Sequence, residues 1–265
     1  MKQASGWVGR VQLSGARGLY LGSAGTTALH AIHAVKIAVA LEQPFVVRDE
    51  SGAARRATSI VVGPEQAHAI DGGGSPIALF YFLPEADESV GVSRQLAGTA
   101  IRSLPPALER RLREPLRHCL ERERSLDLLD EFADEIVEEL RPIGLSARLD
   151  RRIARILESM WHNENASRLP DLAQLARLSE DRLTHLFREQ TGTSIKHYQL
   201  WVRFRRSLAR MESSRSLTDV AHGVGFADAA HFSRTFRGML GVVPSDLHQR
   251  VAFADAFSFE RRARE

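Results

Sequence analysis

The chain has one cysteine, Cys119, so no disulfide can close within it and no cysteine zinc site can assemble. Its lysines are limited to Lys2, Lys36 and Lys196, and arginine supplies the rest of the 36 basic residues, a bias that suggests a GC-rich bacterial genome. No apolar run is long enough to span a membrane, and the N-terminus lacks the apolar core of a secretion signal. These absences point to the cytoplasm. No catalytic triad, carboxylate pair or activated nucleophile is recognisable, so no catalytic residue, cofactor or metal is expected. The glycine-rich stretch 22–27 (GSAGTT) lacks the Lys-Ser/Thr ending of a phosphate loop and reads as a turn.

What the chain does have is a repeat. The string LFREQTG (186–192) recurs 49 residues later as TFRGMLG (235–241), matching Phe187 to Phe236, Arg188 to Arg237, Gly192 to Gly241 and, upstream, Leu183 to Phe232. In the second copy Leu217, Val220, Ala221 and Val224 have the spacing of an amphipathic helix. Gly225 then permits a tight turn, and Asp228 is placed to cap a helix whose inner side is Phe232, Phe236 and Leu240. The first copy reads likewise. Pro170 and Asp171 open a helix with core residues Leu172, Leu175 and Ala176; Ser179 caps the next, and Gly192 ends it. Each copy is a helix-turn-helix. A helix from Ser194 to about Met211, roughly 25 Å long at 1.5 Å per residue, joins them. One chain would thereby hold two recognition helices near the ~34 Å spacing that dimeric helix-turn-helix proteins obtain by symmetry, and its half-sites need not be palindromic.

Residues 150–250 resemble the DNA-binding domain of the AraC/XylS family of bacterial transcription regulators. The resemblance is carried by Gly225-Phe226, by Phe232-Ser233-Arg234-Thr235-Phe236 and by Gly241-Val242-Val243-Pro244. Two departures are Arg177, where the family often has glycine, and His248, where an arginine commonly closes the motif. Charge agrees: residues 150–250 carry 16 Lys and Arg against 11 Asp and Glu, the preceding region 17 against 19. The resemblance implies that Asp181, Arg182, Thr184 and His185 face bases in the first unit, and Ala229, Ala230, His231, Ser233 and Arg234 in the second. Arg182 and Arg234 have the chemistry to grip guanine, the alanines to meet a thymine methyl, and Arg188 and Arg237 sit one turn on, towards phosphate. Arg234 stands equally for a base contact or for orienting the helix on the backbone. His185 and His231 also fit plain surface positions.

The front 140 residues suffice for one more domain. Stretches 37–47, 59–62 and 77–83 read as short buried strands, separated by turn-rich pieces at 49–54 and 71–76. They suggest a small antiparallel barrel or sandwich, and SIVVGPEQAHAID (59–71) resembles the cupin-like sensor half of many relatives. Cupin metal sites use paired histidines, a glutamate and a further histidine. His30 and His33 have the wrong spacing, fall on opposite faces of a strand, and are followed by no glutamate at the expected distance, with His68 in a later turn. The three histidines therefore stand as candidate polar lining of a ligand pocket or as ordinary turn and surface residues, with metal the weakest reading. Leu104, Leu108, Leu112, Leu116 and Leu120 recur every four residues, though Pro105, Pro106 and Pro115 are expected to bend or interrupt a single helix. A second stripe runs Leu126, Leu129, Phe132, Ala133, Ile136, Val137 and Leu140, suited to covering the barrel or meeting its copy in another subunit.

The expected fold is α+β. A cupin-like antiparallel β-barrel with trailing helices (1–140) would sense or dimerise, and an all-α domain of two helix-turn-helix units joined by a long helix (148–250) would bind DNA. The partners this implies are double-stranded promoter DNA, a small-molecule effector, a second copy of the chain and, for an activator, RNA polymerase; no membrane is expected. The alternative is a metal-dependent cupin enzyme fused to a DNA-binding domain. A fusion using Cys119 as nucleophile is poorer, because Cys119 lies in a Leu/Arg-rich helical stretch. A constitutive regulator whose front half only dimerises is a third reading.

Overall fold

A computed structural model describes residues 6–121, 129–141, 148–162, 168–211, 214, 216–248 and 250–254. Strands come first: β1 (Val8–Ser14), β2 (Arg17–Ser23), β3 (Val35–Ala40), β4 (Phe45–Asp49), β5 (Ala54–Ala57), β6 (Ser59–Val62), β7 (His68–Asp71) and β8 (Pro76–Phe82). Helices follow: α1 (Val90–Leu96), α2 (Pro106–Glu121), α3 (Leu129–Leu140), α4 (Arg151–His162), α5 (Leu169–Ala176), α6 (Glu180–Thr191), α7 (Ile195–Met211), α8 (Leu217–Gly223), α9 (Ala229–Leu240) and α10 (Pro244–Leu247). A last strand, β9 (Val251–Ala254), ends the described chain. The class is the expected α+β. Strand pairing gives two sheets, in the orders β6-β3-β8-β2-β1-β9 and β5-β4-β7.

Successive strand residues point to opposite faces, and both faces of the larger sheet are covered. Leu19, Leu21, Val35, Ile37, Val39, Phe80 and Phe82 pack against α1, α2 and α3. Tyr20, Ala34, Ala38, Ala40, Ile77 and Leu79 belong to the other face, whose core continues without a break into the helices after Arg151. Two-sided burial explains why β3 (VKIAVA) is buried at every position and carries no polar alternation. α3 is further tied down by Arg17, whose guanidinium meets Glu88 (2.7 Å), Asp130 (3.3 Å) and Asp134 (2.5 Å).

Several expectations need correction. The stretch 37–47 is two strands, β3 and β4, because the chain turns between Leu41 and Pro44. Ala54 opens β5 and His68 opens β7; neither lies in a turn. Strands β1 and β2 were not foreseen. Pro115 does not interrupt α2, which runs through it while Leu108, Leu112, Leu116 and Cys119 stay buried. The first helix of the first unit begins at Leu169, with Pro170 in its first turn. The stripe Leu129 to Leu140 is buried within one chain, so a second copy would have to use another surface; Leu126 and most of the expected linker lie outside the described residues. Finally, β9 leaves the helical part and pairs in parallel with β1, so the C-terminal segment returns to the N-terminal sheet. Among the described residues no helix is long and apolar enough to cross a membrane.

The helical core is held by an aromatic chain in which Phe204, Phe236 and Phe232 sit edge to face, 5.2 and 5.6 Å apart between centroids. Phe236 is fully buried. Phe236→Ala is expected to cost about 3–5 kcal/mol, the usual range for deleting a buried aromatic ring, read as a lower urea midpoint with unchanged slope. A loss below about 1 kcal/mol would mean that this packing is not the core of the helical part.

Candidate nucleic-acid interface and effector cavity

Local chemistry sets each helix-turn-helix. In the first unit Arg177 takes a left-handed conformation (φ 55°) at the end of α5, which explains why glycine would suit the position. Ser179 Oγ then accepts the N–H of Arg182 (3.3 Å) and caps α6. Asp181, Arg182, Thr184, His185 and Arg188 all project from α6 into solvent. Thr184 is partly committed, since its hydroxyl donates to the Glu180 carbonyl (2.9 Å).

In the second unit the turn is Val224-Gly225, with Gly225 at φ 81°, and the Asp228 carboxylate accepts the N–H of His231 (2.6 Å) to cap α9. That hydrogen bond chiefly, with the charge of Arg234 nearby, holds Asp228 below the usual carboxylate range. Ala230, Arg234 and Arg237 are exposed; Ala229, His231 and Ser233 are half-buried, and the His231 ring stands edge-on to Phe226 at 5.3 Å. The second unit thus presents a sparser polar face than the first.

The far end of α9 is docked on the sheet half. Ala28 N–H donates to the Gly241 carbonyl (2.7 Å) and Ala31 N–H to the Gly238 carbonyl (3.3 Å). The approach is so close that a Cβ on Gly241 would lie 2.6 Å from the Ala28 oxygen. Beside this contact the sheet, α7, α9, α10 and β9 form a mainly apolar cavity that opens to solvent. Tyr20, Leu79 and Tyr81 line it from the sheet, and Trp201, Phe204 and Phe253 from the C-terminal part. Its polar lining comes from Lys36, Thr27 and Arg205; Trp7 and Trp201 also line it, and their indole N–H groups are buried with no hydrogen-bond partner among the described residues.

The three candidate histidines are buried and divide into two clusters. His30 and His68 lie with rings 4.3 Å apart, and both Nε2 atoms face the Lys36 ammonium nitrogen, at 3.4 and 3.0 Å. Each Nδ1 lies 2.9 Å from a backbone carbonyl, of Ala28 and of Gln66, to which it can only donate, so both rings are the neutral Nδ1–H tautomer. Burial, with Lys36 alongside, pushes His30 down to about 3 and His68 well below its ordinary value. Burial also pushes Lys36 down to about 7. His33 is different. Burial alone would lower it, but Glu85 and Glu65 outweigh that and raise it to about 9. It bonds Glu65 at 2.7 Å and Glu85 closely, and its ring packs edge-on to Tyr198 of α7 at 5.3 Å. Glu65, itself at φ 58°, also reaches His197 of α7 at 3.6 Å.

Residues 172–250 match a family model described as a helix-turn-helix domain. The Msm operon regulatory protein of Streptococcus mutans is 32% identical over 101 residues, covering 38% of this chain and 36% of that one. The C-terminal part of the chain is an AraC-type helix-turn-helix domain. The activator RhaR of Yersinia pseudotuberculosis is 35% identical over 83 residues, or 31% and 29% of the two chains. The chain spans about a third of the length of these relatives. Beyond it the likeness is one of fold: ToxT of Vibrio cholerae, in a structure described as bound to unsaturated fatty acid, superposes with a TM-score of 0.57 at 15% identity, covering 88% of this chain and 95% of that one.

The residues expected to face DNA lie at exposed or half-buried positions of α6 and α9, and the three histidines fall into two clusters: His33 sits with two glutamates, and His30 and His68 with a lysine. Among the described residues no group of three His, Cys, Asp or Glu is arranged to hold a metal; the space between the His30 and His68 Nε2 atoms is taken by Lys36. Sequence reasoning missed Lys36, Glu65, Glu85 and Arg205. A lysine on the inward face of an otherwise apolar strand was the available signal for the first.

The two clusters pull stability in opposite directions with pH. His33, raised in the folded state, adds stability that is complete below about 6.5 and lost as pH rises through about 9. Lys36, depressed in the folded state, imposes a cost that is complete below about 7 and relieved as pH rises towards 10.5. Lys36→Met is therefore expected to melt at progressively lower temperature from pH 6.5 to 9, and His33→Gln at progressively higher temperature from pH 7 to 10. Melting curves with the same slope in both variants would refute the assigned charges.

Proposed function

We propose that the protein is a sequence-specific DNA-binding transcription regulator controlled by a small molecule. The observation that carries this reading is the AraC-type domain with two capped recognition helices, each turning an exposed polar face away from the shared core. In this reading residues 148–250 form the DNA-binding domain and residues 1–140 the sensing domain, with β9 strapping one to the other. Arg182 and Arg234 reach base edges; Arg188 and Arg237 hold phosphates. Asp181, Thr184 and His185 complete the first face, and Ala229, Ala230, His231 and Ser233 the second, which reads bases sparingly. The fewer the base contacts, the more of the site preference falls to DNA shape.

The effector occupies the cavity between sheet and helices. Its class is a mostly apolar molecule with at least one oxygen, because the walls are apolar while Lys36 and Arg205 provide donors. The fold shared with fatty-acid-bound ToxT supports that choice. A non-enzymatic role follows, with the cytoplasm as its setting and RNA polymerase as a partner if, like RhaR, the protein activates. Homodimerisation, if used, needs a surface other than the buried face of α3.

Genome-wide occupancy of the tagged protein tests the reading, with an Arg182→Ala, Arg234→Ala double variant beside it. Sharp peaks at a few promoters are expected, and loss of each bidentate contact costs about 1–3 kcal/mol, together enough to abolish them. No localised peaks under any growth condition, or peaks unchanged in the double variant, would overturn it.

A further inference from the structure

Lys36 carries a chemistry that binding alone does not require. It stands on the inward face of β3 between Ala34 and Ala38, is 2% exposed, and lines the apolar cavity. Its Nζ donates to two neutral imidazoles, His30 and His68, and a tetrahedral nitrogen so held has one position left. In the ammonium that position is a third N–H; in the amine it is a lone pair. The groups facing it are the two histidines and the Tyr81 ring, whose centroid is 5.8 Å away, with Arg205 on the opposite wall of the same cavity. None of these is an anion that would hold the charged form: Tyr81 is itself held neutral by burial.

We propose that Lys36 captures an apolar aldehyde as a reversible imine, so that the cavity senses a reactive carbonyl. The Nζ lone pair adds to the carbonyl carbon while the C=O π pair moves to oxygen. A proton passes from nitrogen to that oxygen, giving the carbinolamine. Loss of the hydroxyl as water, taking the second N–H proton, leaves C=N. One aldehyde and one amine give one imine and one water, with no oxidant or reductant. The Nε2 atoms of His30 and His68 accept hydrogen bonds from the nitrogen and so orient it, while the protons themselves pass between Nζ and the carbonyl oxygen. Two physical terms favour the product: the aldehyde's chain fills apolar space, and a desolvated ionisable nitrogen is exchanged for a less basic one. Burial, which already pushes the amine down to about 7, gives Lys36 an uncharged, nucleophilic fraction at neutral pH. The inference rests on the cavity being the effector site, but its test does not need DNA.

The chain's lysines are Lys2, Lys36 and Lys196, which makes site mapping direct. The purified full-length protein is incubated with decanal at pH 7.5, reduced with cyanoborohydride, and mapped by peptide mass spectrometry. Lys36 is expected to carry the decyl adduct with at least a roughly tenfold preference over the exposed Lys196, because burial disfavours its charged form and the apolar cavity beside it takes up the decyl chain. Lys36→Arg should lose the cavity adduct and keep any at Lys196; Lys36→Met serves if the arginine variant does not fold. Equal labelling of the lysines, or none at Lys36, overturns the proposal and leaves non-covalent effector binding standing. Selective Lys36 labelling supports the capture whatever promoter occupancy shows, so the two readings fail separately.

Discussion

A sheet with two apolar faces has to be covered twice, and this chain can cover only one face with the helices that follow its strands. α1, α2 and α3 take the side built on Val35, Ile37, Val39 and Phe80. The opposite side, with Tyr20, Ala38, Ala40 and Leu79, shares one core with Phe45, Val47 and Ile70 of the smaller sheet and with the AraC-type domain. Leaving that face in water would forfeit roughly 25 cal/mol for each Å² of apolar surface. The docking of the helical half on the sheet half is therefore part of the core. The cavity lies where the cover does not quite fit, between β-strand side chains and the aromatic residues of α7.

The cover is anchored unevenly. The second unit is tied to the sheet half by main-chain hydrogen bonds from Ala28 and Ala31 to the end of α9, and by β9, which follows α10 and pairs with β1. The first unit is reached through α7 and through longer side-chain contacts, Glu65 with His197 and Arg94 with Gln190 at 3.4 Å. Main-chain contacts between rigid elements fix geometry; long side chains tolerate displacement. The buried charges follow the same division. His33, clamped by two glutamates against Tyr198, ties the sheet to α7 at a desolvation cost, whereas Lys36 has only neutral partners.

The helical half was legible because its determinants are local. Ser179 and Asp228 cap, Gly225 and Gly241 turn, and the apolar spacing shows which faces go inward, all within a few residues of one another. The sheet half was not. In β1 and β2, Gly9, Arg10, Gln12, Gly18 and Gly22 obscure the alternation that marks a strand. The turn between β3 and β4 is too short to separate two apolar runs. His68 and Lys36 are 32 residues apart and meet only because the fold brings β7 towards β3. β9 has no local signal at all, since its partner β1 lies at the other end of the chain.

Because the walls of the cavity belong to both halves, a ligand that fits it binds only while the AraC-type domain is docked. Linkage then requires that such a ligand stabilise the docked arrangement, by no more than its difference in affinity for the docked and undocked states. On the proposed reading, a DNA site whose two half-sites match the docked spacing of α6 and α9 gains affinity by the same factor, while a site matching a looser arrangement loses it. A ligand too large for the closed cavity does the reverse, pushing α7 away from the sheet while β9 and the Gly241 contact still hold the second unit. On the proposed reading, one cavity can thus favour either arrangement of the two units on DNA, according to the size of the ligand against a fixed wall.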